Sequence, residues 1–399
     1  MRQFLFGLLV AAGLWWGWSA WTGDAAESKG RDGAPPGSTV DPAAVAPVDM
    51  GRLLREPPPV VATSALDTRR ADTPAVPGLD ELLARIGRGE PEAVAIGWAA
   101  VATTRAGEER QKLVASLSPA TVDFSQLLAS LGANNAFLHS AEGRVMGTKA
   151  LAAAMALPDN DAALAGSQLV GLALRGRVER VDTEARQFVD DAYRQHRIRV
   201  ERWICDPANV ARARSYTVVK GDSLARIAGK FRRDGVLVED GTLAVVNRIH
   251  NPNSLQVGQK IKVPVDPIAA VVEKRSYSLS VYVGDYLLRM YWVGHGENDK
   301  TPVTEFIVSE KQPKPEWTAP DGNRYPYGHP KNILGEYFIK FRHERYTGFG
   351  AHGTPMPETI GTMSSMGCIR MLGPDIAELF QILPRGAKVV VRASLSVVG

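Results

Sequence analysis

Cys368 and His352 are the residues of this sequence best suited to chemistry: a histidine and a cysteine sixteen positions apart, with Gly353, Gly361 and Gly367 placed among them. A cysteine accepts an acyl group only once a base has taken its proton, because an unperturbed thiol, with a pKa of about 8.5, is mostly protonated at neutral pH. It also needs donors for the tetrahedral oxyanion. His352 is the nearest histidine, the Gly367 and Cys368 backbone N–H groups are unhindered on the glycine side, and Ser365 offers a small polar group beside the turn. Arg370 stands two residues beyond Cys368, so in extended backbone the two side chains share a face, and the guanidinium could favour the thiolate or hold a substrate carboxylate. A structural pairing of Arg370 with Asp375 is the alternative. Spacing along the chain does not by itself establish contact, and an inert buried thiol stays open as a reading of Cys368.

The elements around this pair read as β material. Tyr277–Val283, Tyr286–Val293 and Glu305–Val308 are β-rich or alternating, and only Gly284-Asp285 separates the first two, a hairpin signal. The order His352-Gly353-Thr354, then Gly361, then Ser365-Met366-Gly367-Cys368-Ile369-Arg370-Met371 resembles the signature of L,D-transpeptidases, the YkuD-like catalytic domain. The likeness extends through Thr301-Pro302, Asn332 to Gly335, the Asp375–Leu383 helix and the strand Lys388–Arg392. It implies a mostly-β catalytic domain over residues 270–393, with Cys368 as nucleophile, His352 as general base, and Gly353, Ser365, Gly367 and Arg370 as support. Two positions depart from the pattern. Met366 stands where many members carry a second histidine, and Thr304 replaces the glycine of the usual Thr-Pro-x-Gly-x-Phe run, a change expected to touch the substrate groove more than the dyad.

Upstream, Tyr216-Thr217-Val218 runs into Gly221-Asp222-Ser223-Leu224, where Ser223 can cap a helix whose face is Leu224, Ile227 and Ala228. A second helical stretch, Leu243 to Ile249, leads through Asn251-Pro252-Asn253 into the strand ending Lys260-Ile261-Lys262-Val263-Pro264. This βααβ order over residues 215–265, with Asn247 in the second helix, resembles the LysM module, which binds glycans containing N-acetylglucosamine. The resemblance implies a shallow sugar groove formed by Gly221, Asp222, Ser223 and Leu224 on one side and Asn251, Pro252, Asn253, Ser254 and Leu255 on the other. Arg232 to Asp240 is longer than the family usually shows between its helices.

The remaining sequence bounds the setting. At 399 residues the chain has room for several domains, and a net charge of +4 gives no case for nucleic acid. Two cysteines, Cys205 and Cys368, provide neither a disulfide framework nor a zinc ligand set, although one could pair with the other, and no cofactor or metal is expected. Residues 1–23, with Arg2 ahead of the tryptophan-rich apolar run Phe4 to Trp21, read as a signal peptide or an uncleaved anchor in the cytoplasmic membrane. Residues 24–78, with Pro57-Pro58-Pro59, read as a disordered Pro/Ala-rich linker. Residues 79–208 read as a helical region of unassigned role, in which His139 and His196 stand alone.

The expected whole is multidomain: a helical N-terminal region, a small βααβ LysM-like module and a mostly-β L,D-transpeptidase-like catalytic domain, exported to the cell envelope with peptidoglycan as partner. By resemblance Cys368 forms a thioester with a stem peptide, resolved by an amine to a cross-link or by water in an L,D-carboxypeptidase outcome. A non-catalytic wall-binding protein and another thiol enzyme of the wall are the competing readings. Deleting Ser215–Val265 is expected to weaken attachment to wall material while sparing turnover of a soluble stem peptide.

Overall fold

A computed structural model describes residues 78–103, 107–117, 140–175 and 182–393. The expected signal or anchor, His139 and nearly all of the linker lie outside these residues. Six helices come first: α1 (Leu79–Gly87), α2 (Pro91–Thr103), α3 (Glu108–Ser116), α4 (Ala141–Met155), α5 (Asp159–Arg175) and α6 (Thr183–Trp203). Local sequence starts two of them in the ordinary way, since the Ser140 hydroxyl accepts from the Gly143 N–H and the Asp182 carboxylate from the Ala185 N–H. No helix among the described residues is long and apolar enough to cross a membrane.

The module that follows is βααβ, with β1 (Ala213–Thr217) antiparallel to β2 (Lys260–Pro264) and α7 (Leu224–Arg233) and α8 (Asp240–Val246) between them. Ser223 caps α7, whose buried stripe is Leu224, Ile227, Ala228 and Phe231. Asn247 ties α8 to β2: its amide donates to Leu243 O and Lys262 O, and its carbonyl accepts from the Lys262 N–H.

The C-terminal region, expected from the sequence to be the catalytic domain, contains an eight-stranded sheet in the order β13-β11-β10-β7-β14-β3-β4-β5. Its strands are β3 (Ile268–Glu273), β4 (Ser278–Val283), β5 (Tyr286–Trp292), β7 (Glu305–Pro313), β10 (Tyr337–Arg342), β11 (Gly350–Gly353), β13 (Ile369–Met371) and β14 (Lys388–Arg392). Smaller pairs are β6 (His295–Gly296) with β12 (Met363–Ser365) and β8 (Trp317–Thr318) with β9 (Arg324–Tyr325), and α9 (Gly373–Ile382) precedes β14. Strand β3 begins at Ile268, two residues before the expected domain start at 270.

Both faces of β3, β4 and β5 are covered, which is why Ile268 to Val272 is apolar without a break. Ile268, Ala270 and Val272 enter one core with Ile376, Leu379 and Ile382 of α9. Val271, Tyr282, Leu287 and Met290 point the other way, into a core shared with Trp98, Met146, Leu169 and Val189 of the helical region. The helices, whose role was open from sequence, therefore complete the sheet. They also seal its edge. On the outer strand β5 the Leu287 N–H donates to Ser167 Oγ (2.8 Å) and the Leu287 carbonyl accepts from His196 Nε2 (2.8 Å).

His196 thus has a packing role and must stay neutral, because burial lowers its pKa to about 4. Between about pH 6.5 and pH 4 the unfolded chain binds a proton there that the folded chain refuses. Its contribution to stability is accordingly full above about 6.5 and falls as pH drops toward 4, by about 3 kcal/mol over that window. Urea midpoints should show this decline in the wild type and lose it in His196→Asn, which can still donate to Leu287 O but has no proton to bind in this range. An unchanged acid slope in that variant would assign the effect elsewhere.

Candidate active site

The site is built on two short parallel strands. Strands β11 and β13 pair with His352 opposite Arg370 and Ala351 opposite Ile369. Opposed residues share a face, so His352 and Arg370 lie on the same side of the sheet, and Cys368 stands in the bend immediately before β13, two residues from Arg370. On its other edge Arg370 exchanges both backbone bonds with Gly294, next to β6.

The turn that presents Cys368 is pinned on both sides. Gly367 has φ +133°, and a Cβ there would sit 2.7 Å from Phe349 Cε1, so only glycine fits both the conformation and the space. Ser365 Oγ accepts from the Gly367 N–H (3.0 Å) and donates to the Cys368 carbonyl (2.7 Å). Thr301 Oγ1 donates to the Gly367 carbonyl (2.7 Å) and accepts from the Gly296 N–H (2.8 Å). This corrects one expectation: the Gly367 N–H, read from sequence as an oxyanion donor, is occupied by Ser365. The Cys368 N–H has no hydrogen-bond partner among the described residues.

His352 is 2% exposed, and its Nδ1 lies 2.6 Å from the Gly353 carbonyl. That contact requires the proton on Nδ1 and leaves the lone pair on Nε2. Burial, reinforced by the Arg370 charge, lowers its pKa to about 4 against the pull of the Gly353 and Ile333 carbonyls. Cys368 is recessed but open on one side. Burial pushes its thiol up to about 11, with the Gly350 N–H and Arg370 acting in the opposite direction. The resting pair is a neutral thiol and a neutral imidazole, and the thiol donates to the Gly348 carbonyl (3.4 Å).

Arg370 is 8% exposed and donates to Ser364 Oγ (3.2 Å). It makes no ion pair with Asp375, whose carboxyl is raised to about 6 by burial and then by Glu378. Both cysteines are free and Cys205 is buried in the core, so the two do not pair. Met366, which stands where the resemblance expects a second histidine, is 53% exposed.

Sequence reasoning missed the wall beside the thiol. His343 Nε2 lies 3.0 Å from Thr304 Oγ1, while its Nδ1 accepts from the Arg345 N–H, which fixes the tautomer. The ring packs on Phe306 and Tyr346, and Tyr346 meets Phe349 edge-on, so this loop holds Phe349 against Gly367 and Gly348 against the thiol. The departure at Thr304 is therefore linked, through His343, Tyr346 and Phe349, to the surroundings of Cys368. A second wall runs from Asn332, whose amide holds the Pro315 and Tyr325 carbonyls, to Gly335, whose φ of +67° lets the chain pass against Gly353.

Residues 267–391 match the profile of the L,D-transpeptidase catalytic domain (YkuD), and residues 216–264 match the LysM domain. The chain is 30% identical over 187 residues to YkuD of Bacillus licheniformis, named as a candidate L,D-transpeptidase, covering 44% of this chain and 96% of that protein. The chain belongs to the L,D-transpeptidase family. A second such relative, YqjB of Bacillus subtilis, is 34% identical over 131 residues, covering 32% of this L,D-transpeptidase family member and 72% of its relative. A solved L,D-transpeptidase from Mycobacterium smegmatis overlaps 35% of this chain at 18% identity with a TM-score of 0.28, and the overlap spans 65% of that structure.

The glycan residues expected from the LysM resemblance do not all face solvent in this member of the L,D-transpeptidase family. Gly221, Ser223, Asn251, Pro252, Asn253 and Ser254 are exposed, and Leu255 is half-buried. Leu224 is buried in the module core, and the Asp222 carboxylate already accepts from the Tyr216 hydroxyl, the Val219 N–H and Lys230. Those two side chains shape the loop from behind. The family and the LysM domain together support peptidoglycan binding and a part in peptidoglycan cross-linking.

Proposed function

We propose that the protein is a cysteine-dependent L,D-transpeptidase acting on peptidoglycan stem peptides. The observation that carries this reading is the pairing that sets His352 opposite Arg370, two residues after Cys368, with the His352 proton on Nδ1 and the Cys368 N–H open. The Cys368 thiol attacks the carbonyl of the L-centre of the third stem residue as its proton passes to His352. The tetrahedral oxyanion is received by the Cys368 N–H. Collapse expels D-alanine, whose nitrogen takes the proton from His352, and a thioester remains on Cys368. An acceptor amine then attacks the thioester, forms the new amide and restores the thiol.

Burial holds the thiol high and the imidazole low, so both are neutral before attack begins. Proton transfer is therefore concerted with attack rather than completed beforehand. Arg370, buried and without a carboxylate partner within ion-pair distance among the described residues, supplies charge two residues from Cys368 for a stem carboxylate. In Arg370→Lys, kcat/KM should fall by about tenfold or more with melting unchanged, and unaltered turnover would end the substrate role of this guanidinium.

Mass spectrometry of the full chain with a disaccharide-tetrapeptide tests the reading. Loss of D-alanine with a cross-linked dimer supports the transpeptidase, and loss without dimer makes the protein a carboxypeptidase. No change would leave a wall-binding protein. The N-terminal segment, as export signal or anchor, would place this chemistry in the cell envelope.

A further inference from the structure

The segment that sequence marks as unusually long between the module's helices, Arg232 to Asp240, is the part that meets the catalytic sheet. Glu239 Oε2 lies 2.5 Å from Lys311 Nζ of β7, and its other oxygen lies 2.8 Å from Arg385 Nη1. Lys311 and Glu239 are 4% and 7% exposed, so the pair is closed off from water. Just beyond, the Thr242 hydroxyl donates to Ile382 O (3.0 Å), and a Cβ on Gly241 would fall 2.6 Å from Gln381 O. Leu237 packs over Gly386. From the other side Lys262 donates to Ile204 O (2.9 Å) and Arg248 to Glu201 O, which ties the module to the helical region as well.

A module on a flexible linker raises local concentration smoothly with the length of whatever connects the two ligand parts. This module is clamped instead, so its groove stands at a fixed offset from Cys368. We propose that the insertion makes the LysM module a fixed arm of the substrate site, and that the preferred donor is a stem peptide still carried on a glycan strand long enough to reach the groove. This rests on the catalytic reading above. On this reading, deleting the module removes the gain in turnover on strand-borne stems as well as attachment to the wall.

The test compares kcat/KM of the full chain on the free tetrapeptide and on tetrapeptides carried by glycan strands of increasing length. The wild type should show a threshold length beyond which kcat/KM rises at least about tenfold. Gly241→Leu, whose side chain must displace a backbone carbonyl, should abolish the threshold while free-peptide turnover stays within about twofold. If that variant does not melt cooperatively, Lys311→Met serves in its place. A flat or smoothly rising profile in the wild type, or a threshold that persists in the variant, overturns the proposal. Absence of turnover on every substrate, free peptide included, refutes the chemistry instead. In that case strand affinities of Cys368→Ala decide the arm, a length threshold supporting it and none overturning it.

Discussion

Cys368→Ala releases no D-alanine from a disaccharide-tetrapeptide, and His352→Ala retains between about a hundredth and a ten-thousandth of the wild-type rate. The asymmetry follows from the geometry. Removing the sulfur removes the atom that carries the acyl group. Removing the imidazole leaves the pinned turn, the Cys368 N–H and the Arg370 charge in place, with water as a poor base. Cleavage followed by mass spectrometry measures the rates, and near-ultraviolet dichroism checks that both variants keep their packing. Undiminished release of D-alanine by Cys368→Ala would remove the covalent mechanism altogether. Equal loss in both variants would mean that His352 is as indispensable as the nucleophile, and would require an essential proton transfer in both half-reactions.

Iodoacetamide modifies Cys368 at pH 7 roughly a hundredfold or more slower than an unperturbed thiol, and the rate climbs about tenfold per pH unit toward pH 11. Burial holds the thiol in its neutral form, and neutral His352 does not capture its proton at rest. The same pair sets the acid side of catalysis. His352 remains an effective base down to its pKa of about 4, so the acid limb of kcat/KM lies near pH 4 and not near the 6.5 of free imidazole. A fast alkylation rate that levels off below pH 7 would show a preformed thiolate–imidazolium pair and reverse the assignment of the resting state.

The candidate pair stands out in the sequence because order carries the family resemblance: His352-Gly353, then Ser365-x-Gly-Cys368-x-Arg370, is a local pattern. The cap at Ser223 and the hairpin at Gly284-Asp285 were legible for the same reason, each being settled by a few neighbouring residues, whereas the bonds by which Asn247 braces β2 depend on Lys262, fifteen residues on. What escaped depends on partners far along the chain. Strands β11 and β13 have four and three residues, too short for a period to appear, and they are parallel. Occupation of the Gly367 N–H follows from how the Ser365 side chain turns, and the joint neutrality of thiol and imidazole follows from burial. Thr304 looked like a lost glycine until His343, thirty-nine residues later, was found on its hydroxyl. The helical region carried no motif because its work is to cover Val271, Tyr282, Leu287 and Met290.

The two bonds that Ser167 and His196 make to Leu287 have a practical consequence for handling this protein. A fragment trimmed to residues 215–399 would keep every residue of the proposed chemistry yet offer β5 as an open edge, with its neighbouring apolar face stripped of cover. Such an edge recruits strands from other copies, and the fragment should precipitate or form higher-order species at concentrations where the intact chain stays dispersed. The helices are in this sense an internal chaperone that never leaves, and transplanting the catalytic region to another protein would require bringing α5 and α6 along.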